Sequence, residues 1–292
     1  MKILVPGGSG MLGHDVRRAG ERAGHELVLV DLPELDITDE HAVQALYERE
    51  RPDATINCAA WTDVDGAETK QAQAQAVNAD GAGILARAAG ALGTPLLQLS
   101  TDYVFSGAAP LDADGQPRAY VESDPTGPRS VYGSTKLAGE QQVLAASPRH
   151  TVVRSSWLFG LDGHNFVATM LRIAAERAAS GEPAVVQVVT DQVGCPTWTG
   201  QLAPALIGLL ERNVSGLVHL AGGGSVSWNG FAAEIFRQAE VDCRVEPAST
   251  AEMARPAPRP AFSVIESERT DVLPMPDWRD GLAGYLAARA LR

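Results

Sequence analysis

A glycine-rich junction near the N-terminus constrains the fold of this chain more than any other feature. The apolar residues 3–5 lead directly into GGSGMLG, which places Gly7, Gly10 and Gly13 at three-residue spacing before a helical pattern. Glycine is needed where a strand turns sharply into a helix and where backbone must approach a pyrophosphate. The first amides of the following helix favour anions. A tight turn without a ligand would use the same residues, but the position at the first strand-to-helix junction favours a dinucleotide site.

Apolar runs and helical patterns alternate through the first half of the sequence. The predicted strands are residues 3–5, 27–30, 54–56 and 95–99. The first predicted helix begins at about Leu12, and three further helices are predicted over residues 39–50, 67–92 and 132–146. Strands that alternate with helices at this spacing indicate βαβ units and a parallel sheet covered on both faces. The sequence therefore predicts an α/β fold: a Rossmann-type, doubly wound parallel sheet with a smaller, mostly C-terminal substrate-binding region.

The second half of the chain is less regular. Residues 151–153 and Val185–Val189 are expected to extend the same sheet, and helical patterns cover 201–212 and 229–240. We divide the chain into residues 1–160, a dinucleotide-binding domain, and 161–292, a mixed region that binds substrate and contributes elements that complete the sheet. Residues 108–127 are polar and rich in Pro and Gly, which predicts a long and functional loop.

The composition excludes several classes of protein. The formal net charge of −12 opposes nucleic-acid binding, which needs a cationic surface. No stretch approaches about 18 uninterrupted apolar residues, so no membrane partner is expected. The N-terminal apolar run is too short for a signal peptide, and three cysteines without a C-x-x-C pair argue against disulfides. We therefore expect a cytoplasmic protein, and the histidines and acids show no spacing typical of a metal site.

Asp31 ends the second predicted strand, where a carboxylate can hydrogen-bond the ribose hydroxyls of an adenosine. Because a carboxylate repels a 2′-phosphate, Asp31 favours NADH over NADPH, although Arg17 and Arg18 on the first helix are within reach of such a phosphate. Asp36 and Ile37 follow in the loop that borders the adenine region. For Asp36, capping a helix or facing solvent is an equal alternative.

Tyr132 and Lys136 are four residues apart and share one face of a predicted helix. A phenol has a pKa near 10, and a nearby ammonium is expected to lower that pKa so that the phenol can exchange a proton. Lys136 can also hold a nicotinamide ribose. A surface helix would carry the same pair by chance, but Thr101 closes the fourth predicted strand, where ligands bind in open α/β sheets. Its hydroxyl can orient a substrate carbonyl towards Tyr132.

These residues resemble the extended short-chain dehydrogenase/reductases, and among them the dTDP-4-dehydrorhamnose reductases. The segments that carry the resemblance are CAAWTDVDGAE (58–68), STDYVFSG (100–107), YGSTKLAGE (132–140), RSSWLFG (154–160), NFVATML (165–171) and DQVGCPT (191–197). STDYVF and RSSWLFG are specific to this subgroup, and the resemblance covers nearly the whole chain.

The resemblance implies a role for each matching position. The residues implied to contact the cofactor, NADPH or NADH, are Gly7, Gly10, Met11, Leu12, Gly13, Asp31, Asp36, Ile37, Ala60, Trp61, Thr62, Leu99, Tyr132 and Lys136. Those implied to contact the dTDP-sugar are Thr62, Val64, Thr101, Asp102 and Trp157. The implied reaction is hydride transfer to C4 of dTDP-4-dehydro-6-deoxy-L-mannose, with Tyr132 as proton donor and Thr101, Tyr132 and Lys136 as catalytic residues.

The chain departs from the family pattern in three places. The loop between Phe105 and Tyr120 is longer, and Trp61 stands where the family often has Tyr or His. Some members bind Mg²⁺ through acids at a dimer interface. Asp15 matches one such position and the others do not match, so we expect no metal, and a homodimer stays open.

Alternative functions share the same fold. A reductase for another 4-keto sugar or an epimerase would keep most of these residues, whereas a dehydratase would need a Glu where Tyr103 follows Asp102. A non-catalytic cofactor-binding subunit would be expected to have lost Tyr132 or Lys136. Of the remaining residues, we assign Trp157 to contact with the ligand in preference to core packing. Trp198 and Trp228 are assigned to packing. Arg154 is assigned to a salt bridge, and Arg259 to either a salt bridge or a diphosphate contact.

Overall fold

A computed structural model describes residues 1–181 and 183–292. The elements of the first half are β1 (Lys2–Pro6), α1 (Met11–Arg22), β2 (Glu26–Val30), α2 (Glu40–Glu50), β3 (Ala54–Asn57), α3 (Val64–Thr69), α4 (Gln71–Gln75), α5 (Ala82–Ala91), β4 (Leu96–Thr101) and α6 (Val131–Ala146). Those of the second half are β5 (Thr151–Ser155), β6 (Leu158–Phe159), α7 (Phe166–Ser180), β7 (Val185–Val189), β8 (Val193–Gly194), β9 (Thr197–Trp198), α8 (Thr199–Glu211), β10 (Gly216–His219), β11 (Val226–Ser227), α9 (Trp228–Gln238), β12 (Arg244–Ala248), α10 (Thr250–Met253) and α11 (Trp278–Ala290).

A six-stranded parallel sheet forms the centre of the fold, in the order β10-β5-β4-β3-β1-β2. Every residue of β3, β4 and β5 is buried, as expected for strands covered on both faces. Because all six strands run in the same direction, their carboxyl ends meet at one edge. That edge carries Gly7 after β1, Asp31 after β2 and Thr101 at the end of β4. The predicted Rossmann-type α/β class is confirmed.

Two apolar layers cover the sheet. On one face, α1 and α8 pack their buried residues, such as Val16 and Leu206, against Ile3 and Val5 of β1. On the other face, α2, α5 and α6 contribute a second core that includes Leu85. A third core joins α7, α9 and α11 to β7 outside the main sheet. Residues after 160 therefore supply both sheet-covering and separate elements, and the proposed boundary near 160 stays a prediction.

The prediction that Val185–Val189 extends the main sheet is wrong. This segment, β7, pairs with β12 in a separate two-stranded parallel sheet. Its burial alternates, since Val186 and Val188 are buried while Gln187 is exposed, and this is the pattern of a strand covered on one face. The sixth strand of the main sheet is instead β10, which pairs with β5.

The helix predicted over 67–92 is broken in the structure. It consists of α3, α4 and α5, with a π-helical turn at Ala76–Gly81 between α4 and α5. Such turns are rare and frequently mark functional sites. Residues 105–130, all of them described, contain no helix or strand, in agreement with the predicted loop. The loop is anchored where Tyr120 N–H donates to the carbonyl of Val264 at 2.8 Å.

Of the helices in the described ranges, none is long and apolar enough to cross a membrane.

Candidate active site

The turn between β1 and α1 has the geometry that its glycines require. Gly7 has a φ of +74°, and a Cβ there would lie 2.5 Å from the backbone nitrogen of Ala59. A Cβ at Gly13 would lie 2.5 Å from the Gly7 carbonyl oxygen. A side chain at Gly7 would therefore clash with the backbone that follows β3, and one at Gly13 would push apart the strand-to-helix turn.

Among the described residues, no side chain caps the N-terminus of α1. Gly10 caps the helix without a side-chain hydrogen bond, and the first turn contains no acidic residue. By contrast, the side chains of Asp39, Ser130 and Asn165 cap α2, α6 and α7. The unpaired amides and the partial positive charge of α1 are suited to a pyrophosphate, so this turn fits a dinucleotide.

Asp31 lies against the glycine turn. Its Oδ2 accepts hydrogen bonds from the Ser9 amide at 3.1 Å and the Ser9 hydroxyl at 2.5 Å. The guanidinium of Arg18 pairs with Asp15 at 2.7 Å and Asp162 at 2.9 Å, so its role as a phosphate contact stays a prediction. Within the described residues Arg17 makes no ion pair within 4 Å.

The loop after β2 separates the two residues assigned to the adenine region. Ile37 is buried, and a Cβ on Gly81 would lie 2.8 Å from its side chain. Asp36 is exposed and accepts hydrogen bonds from the amide and hydroxyl of Thr38 at 2.9 and 2.8 Å. Asp36 thus faces solvent and stabilises a local turn, and its contact with the adenine stays a prediction.

Asn78, which the sequence analysis did not single out, fastens the loop after β3. Its Oδ1 accepts from the Trp61 amide at 2.9 Å, and its Nδ2 donates to the Trp61 carbonyl at 3.2 Å and to the Thr135 hydroxyl at 3.1 Å. Asn78 lies in the π-helical turn and is buried. It therefore holds Ala60 and Trp61 against α6, one turn from Tyr132. A buried polar residue in an alanine-rich run was the available signal.

The three predicted catalytic residues meet at the carboxyl end of β4. Thr101 ends β4 and lies near the Tyr132 hydroxyl, whose pKa it lowers. Lys136 is 4% exposed, and its Nζ donates to the carbonyl oxygen of Leu99 at 2.6 Å. The ring of Tyr103 packs edge-on against Tyr132, with centroids 5.5 Å apart. The site is thus built on two elements, β4 and α6, with Thr101 and Lys136 buried and Tyr132 half-buried.

Burial sets the acidity of this pair. Desolvation raises the pKa of Tyr132 to about 12, an effect that the nearby Thr101 hydroxyl opposes and the charge of Asp102 reinforces. Desolvation lowers the pKa of Lys136 to about 8, while Glu140 and Cys58 act in the other direction. The net effect on the Tyr132 pKa is therefore a rise and not the expected lowering, because desolvation is its largest cause.

A buried ion pair joins the catalytic helix α6 to strand β5 of the sheet. Arg154 on β5 donates two hydrogen bonds to Glu140 on α6, at 2.9 and 2.7 Å, and the Ser100 hydroxyl donates to the same carboxylate at 2.5 Å. Arg154 is therefore a salt-bridge residue, as predicted. Arg259 also forms a salt bridge, through two hydrogen bonds to Asp65 at 2.9 and 3.0 Å.

The residues assigned to contact with the sugar differ in exposure and in backbone conformation. Thr62 is exposed and Val64 half-buried at the start of α3. Trp157 is half-buried, has a φ of +47°, and stacks on Trp228 with ring centroids 3.6 Å apart. A bulky residue with positive φ is an outlier that surrounding contacts must hold. Trp228 is thus a packing residue, as predicted, and its ring supports the ring of Trp157.

Asp15, the one residue that matched a metal-binding position, is engaged within the protein. Its carboxylate pairs with Arg18 and accepts a hydrogen bond from the Thr199 hydroxyl at 2.6 Å. The described part of the chain contains no group of three His, Cys, Asp or Glu residues that could hold a metal ion.

The parallel sheet, the pyrophosphate turn and a tyrosine–lysine helix at the same edge define a short-chain dehydrogenase/reductase of the extended type. A family model described as RmlD substrate binding domain matches residues 1–290. The chain belongs to this family.

Relatives and solved structures agree with this placement. A dTDP-4-dehydrorhamnose reductase of Streptomyces griseus is 43% identical and is covered over 91% of its length by 96% of this chain. A probable dTDP-4,6-dihydroxy-2-methyloxan-3-one 4-ketoreductase of Streptomyces antibioticus is 42% identical, with 97% of this chain and 93% of that protein covered. The structure of a dTDP-4-dehydrorhamnose reductase of Bacillus anthracis in complex with NADP superposes with a TM-score of 0.91 and 34% identity, and 98% of this chain and 99% of that one are covered. The resemblance identified from the sequence is confirmed.

Proposed function

We propose that this chain reduces the C4 keto group of dTDP-4-dehydro-6-deoxy-L-mannose to give dTDP-L-rhamnose, with NADPH or NADH as the reductant. The observation that carries the proposal is the buried Lys136 of α6, whose Nζ donates to Leu99 of β4 at the sheet edge that also carries Thr101 and the glycine turn, with Tyr132 one helical turn away. The substrate is taken from the relatives named above, of which one at 43% identity is a dTDP-4-dehydrorhamnose reductase.

In this proposal the cofactor, when bound, would supply a hydride to C4, and a side chain of the protein would donate the proton. Tyr132 donates its phenolic proton to the oxygen that becomes an alkoxide. Because burial raises the pKa of Tyr132 to about 12, the phenol retains its proton until a strong base forms beside it. Lys136 spends one N–H on Leu99, which leaves two of its three donors for the nicotinamide ribose.

The remaining contacts are assigned by position. Gly7, Gly10 and the first turn of α1 would bind the pyrophosphate, and Asp31 the ribose. The sugar and its nucleotide would lie towards Thr62, Val64 and Trp157. An aromatic face next to a pyranose excludes water and orients the ring, which agrees with the exposed part of Trp157.

A second candidate is reduction of a related dTDP-4-keto sugar. It is favoured by the Streptomyces antibioticus relative, whose identity of 42% is almost the same as the 43% of the first. An epimerase of the same fold is a further alternative from the sequence. It would retain its cofactor through purification and would cause no net oxidation.

The test is oxidation of NADPH and of NADH with freshly generated dTDP-4-dehydro-6-deoxy-L-mannose, with identification of the sugar product. A rhamnose product is expected, and the two rates give the cofactor preference. Tyr132→Phe is expected to lower kcat at least about a hundredfold, because it removes the general acid, and to leave cofactor affinity nearly unchanged. Tyr103→Phe is the matched control, since it removes the neighbouring phenol and should retain most turnover. An equally active Tyr132→Phe variant would exclude Tyr132 as proton donor.

We also propose a cytoplasmic location and a homodimer as the candidate assembly. All three cysteines lie in the described residues and carry free thiols, which suits a reducing compartment. Sedimentation of the purified chain would measure its assembly.

A further inference from the structure

Asp65, in the first turn of α3, binds a segment that is distant from it in the sequence. Its Oδ1 accepts hydrogen bonds from the Ala257 amide at 3.1 Å and from the Arg259 guanidinium at 2.9 Å, and its Oδ2 accepts a second bond from that guanidinium at 3.0 Å. A forked pairing between a guanidinium and a carboxylate fixes the direction of both groups. Asp65 therefore joins residues 255–262 to α3.

The segment of residues 255–262 has a sequence suited to a fixed position. Three of its eight residues are prolines, at positions 256, 258 and 260. Each proline ring fixes one φ, so less chain entropy is lost when the segment is held. Its far end is also held, because the Phe262 amide donates to the carbonyl of Gly107 at 3.0 Å.

This segment lies beside the candidate active site. Pro258 and Pro260 line a small crevice together with Tyr103 and Ser130. Ser130 caps α6, and the ring of Tyr103 packs edge-on against Tyr132. Residues 258–260 are therefore neighbours of the groups that surround the proposed proton donor.

The helix that Asp65 belongs to is fixed to the same centre. Val64 is the first residue of α3 and Thr62 precedes it by two, so this helix carries the positions assigned to the nucleotide-sugar. The helix is joined to α6, because Glu68 Oε1 accepts from the Val131 amide at 2.9 Å. The contact with Asp65 thus holds residues 255–262 at a defined distance from the catalytic helix.

We propose that Asp65 is a positioning residue, whose ion pair with Arg259 holds residues 255–262 in place as one side of the cleft that receives the nucleotide-sugar. This inference rests on the proposed reduction. The charges agree with the geometry. The guanidinium of Arg259 holds the pKa of Asp65 below its usual value. Burial raises the pKa of Tyr103, and the charge of Arg259 acts against that rise. The guanidinium therefore lies between α3 and the catalytic centre.

Direct contact between Arg259 and the diphosphate, which the sequence analysis left open, makes the opposite prediction for Asp65. A carboxylate next to a diphosphate repels it, so Asp65→Asn would then lower the KM for the nucleotide-sugar. If Asp65 instead acts by holding the segment, the same substitution must raise that KM.

The test measures kcat, the KM for dTDP-4-dehydro-6-deoxy-L-mannose and the Kd for NADPH in the wild type, Asp65→Asn, Arg259→Gln and the double variant. Each single substitution is expected to raise the KM about tenfold, since it breaks charge-assisted hydrogen bonds, and to leave kcat and the Kd nearly unchanged. The double variant should match the single ones, because all three lose the same pair. Arg255→Gln is the matched control. Its guanidinium is 58% exposed and lies 3.5 Å from Asp65, and an exposed pair contributes little, so its KM should change by less than about twofold.

Hydrogen exchange, followed by mass spectrometry on a peptide that covers residues 255–262, measures the position of the segment without any substrate. Arg259→Gln keeps Asp65 as acceptor for the Ala257 amide, so exchange of that amide becomes faster only if the segment leaves α3. We expect exchange at least about tenfold faster than in the wild type.

The outcomes separate the inference from the proposed reaction. Unchanged exchange in Arg259→Gln would refute the positioning role, whatever the activity. A lowered KM in Asp65→Asn, or a rise confined to Arg259→Gln, would overturn it in favour of direct contact with the diphosphate. A rise in the Arg255→Gln control as large as that in Asp65→Asn would assign the effect to surface charge and also refute it. Faster exchange in a chain unable to reduce the sugar would refute the proposed reaction alone.

Discussion

Replacing Arg154 by Met tests how much the Arg154–Glu140 ion pair between β5 and α6 contributes to stability. The side chains of Arg154 and Glu140 are 4% and 3% exposed, and two hydrogen bonds join them. Met keeps the length of the stem but leaves Glu140 as a buried carboxylate with the Ser100 hydroxyl and, one helical turn away, Lys136. Removing one partner of a buried pair costs about 3–5 kcal/mol, since the remaining charge stays desolvated.

The expected change in melting temperature follows from chain length. Unfolding entropy is about 2.1 cal/mol/K per residue, so the 292 residues give ~0.6 kcal/mol/K. A loss of about 3–5 kcal/mol then lowers Tm by about 5–8 °C. Thermal unfolding should be followed by circular dichroism at neutral pH.

The double variant separates the pair from its neighbours. Glu140→Gln alone leaves Arg154 as a buried charge without its carboxylate partner, whereas Glu140→Gln combined with Arg154→Met removes both charges. The double variant should therefore be more stable than the sum of the single effects, with a coupling of about 0.5–3 kcal/mol. Single effects that add, or a folded Arg154→Met variant whose Tm falls by less than about 2 °C, would refute the reasoning.

Three further changes test other parts of the structure. Gly7→Ala places a Cβ 2.5 Å from the Ala59 nitrogen at a φ of +74°, so titration calorimetry should show lost cofactor affinity, and unchanged affinity would contradict the turn geometry. Lys136→Ala should weaken cofactor binding and lower kcat together, and an effect on neither would exclude the dual role. Arg292 holds the pKa of Asp162 at about 2, so this carboxylate stabilises the fold above its unfolded pKa of about 4. Asp162→Asn should thus lower Tm at neutral pH, and the difference from wild type should vanish as the pH falls towards 2; a constant difference would contradict the assignment.

The first half of the fold was predictable because its signals are local. Glycines at fixed spacing, buried apolar runs and the four-residue interval between Tyr132 and Lys136 each depend on a few neighbouring residues. β10 was missed because GLVH is short, and Val185–Val189 was placed wrongly because a single Gln in an apolar run was given too little weight. In both cases the pairing partner lies far away in the sequence.

Positions in the site were predicted better than their interactions. Thr101, Tyr132 and Lys136 lie at one edge of the sheet, as the order of elements requires. The direction of the Lys136 ammonium depends on the Leu99 carbonyl, and the pKa of Tyr132 depends on its burial, so neither was predictable from the sequence. Asn78 was overlooked because its three hydrogen bonds reach two other elements.

The strand order has a consequence for how the chain matures. β5 lies between β4 and β10, so until residues 216–219 have been synthesised it remains an open edge with unpaired amides and carbonyls. The apolar face that α8 covers stays exposed for nearly as long. Exposed edges and apolar faces invite association between nascent chains. During translation, β5 and the face of the sheet beneath α8 are therefore unprotected until these later elements have been made, and chaperone binding should be strong before β10 emerges from the ribosome.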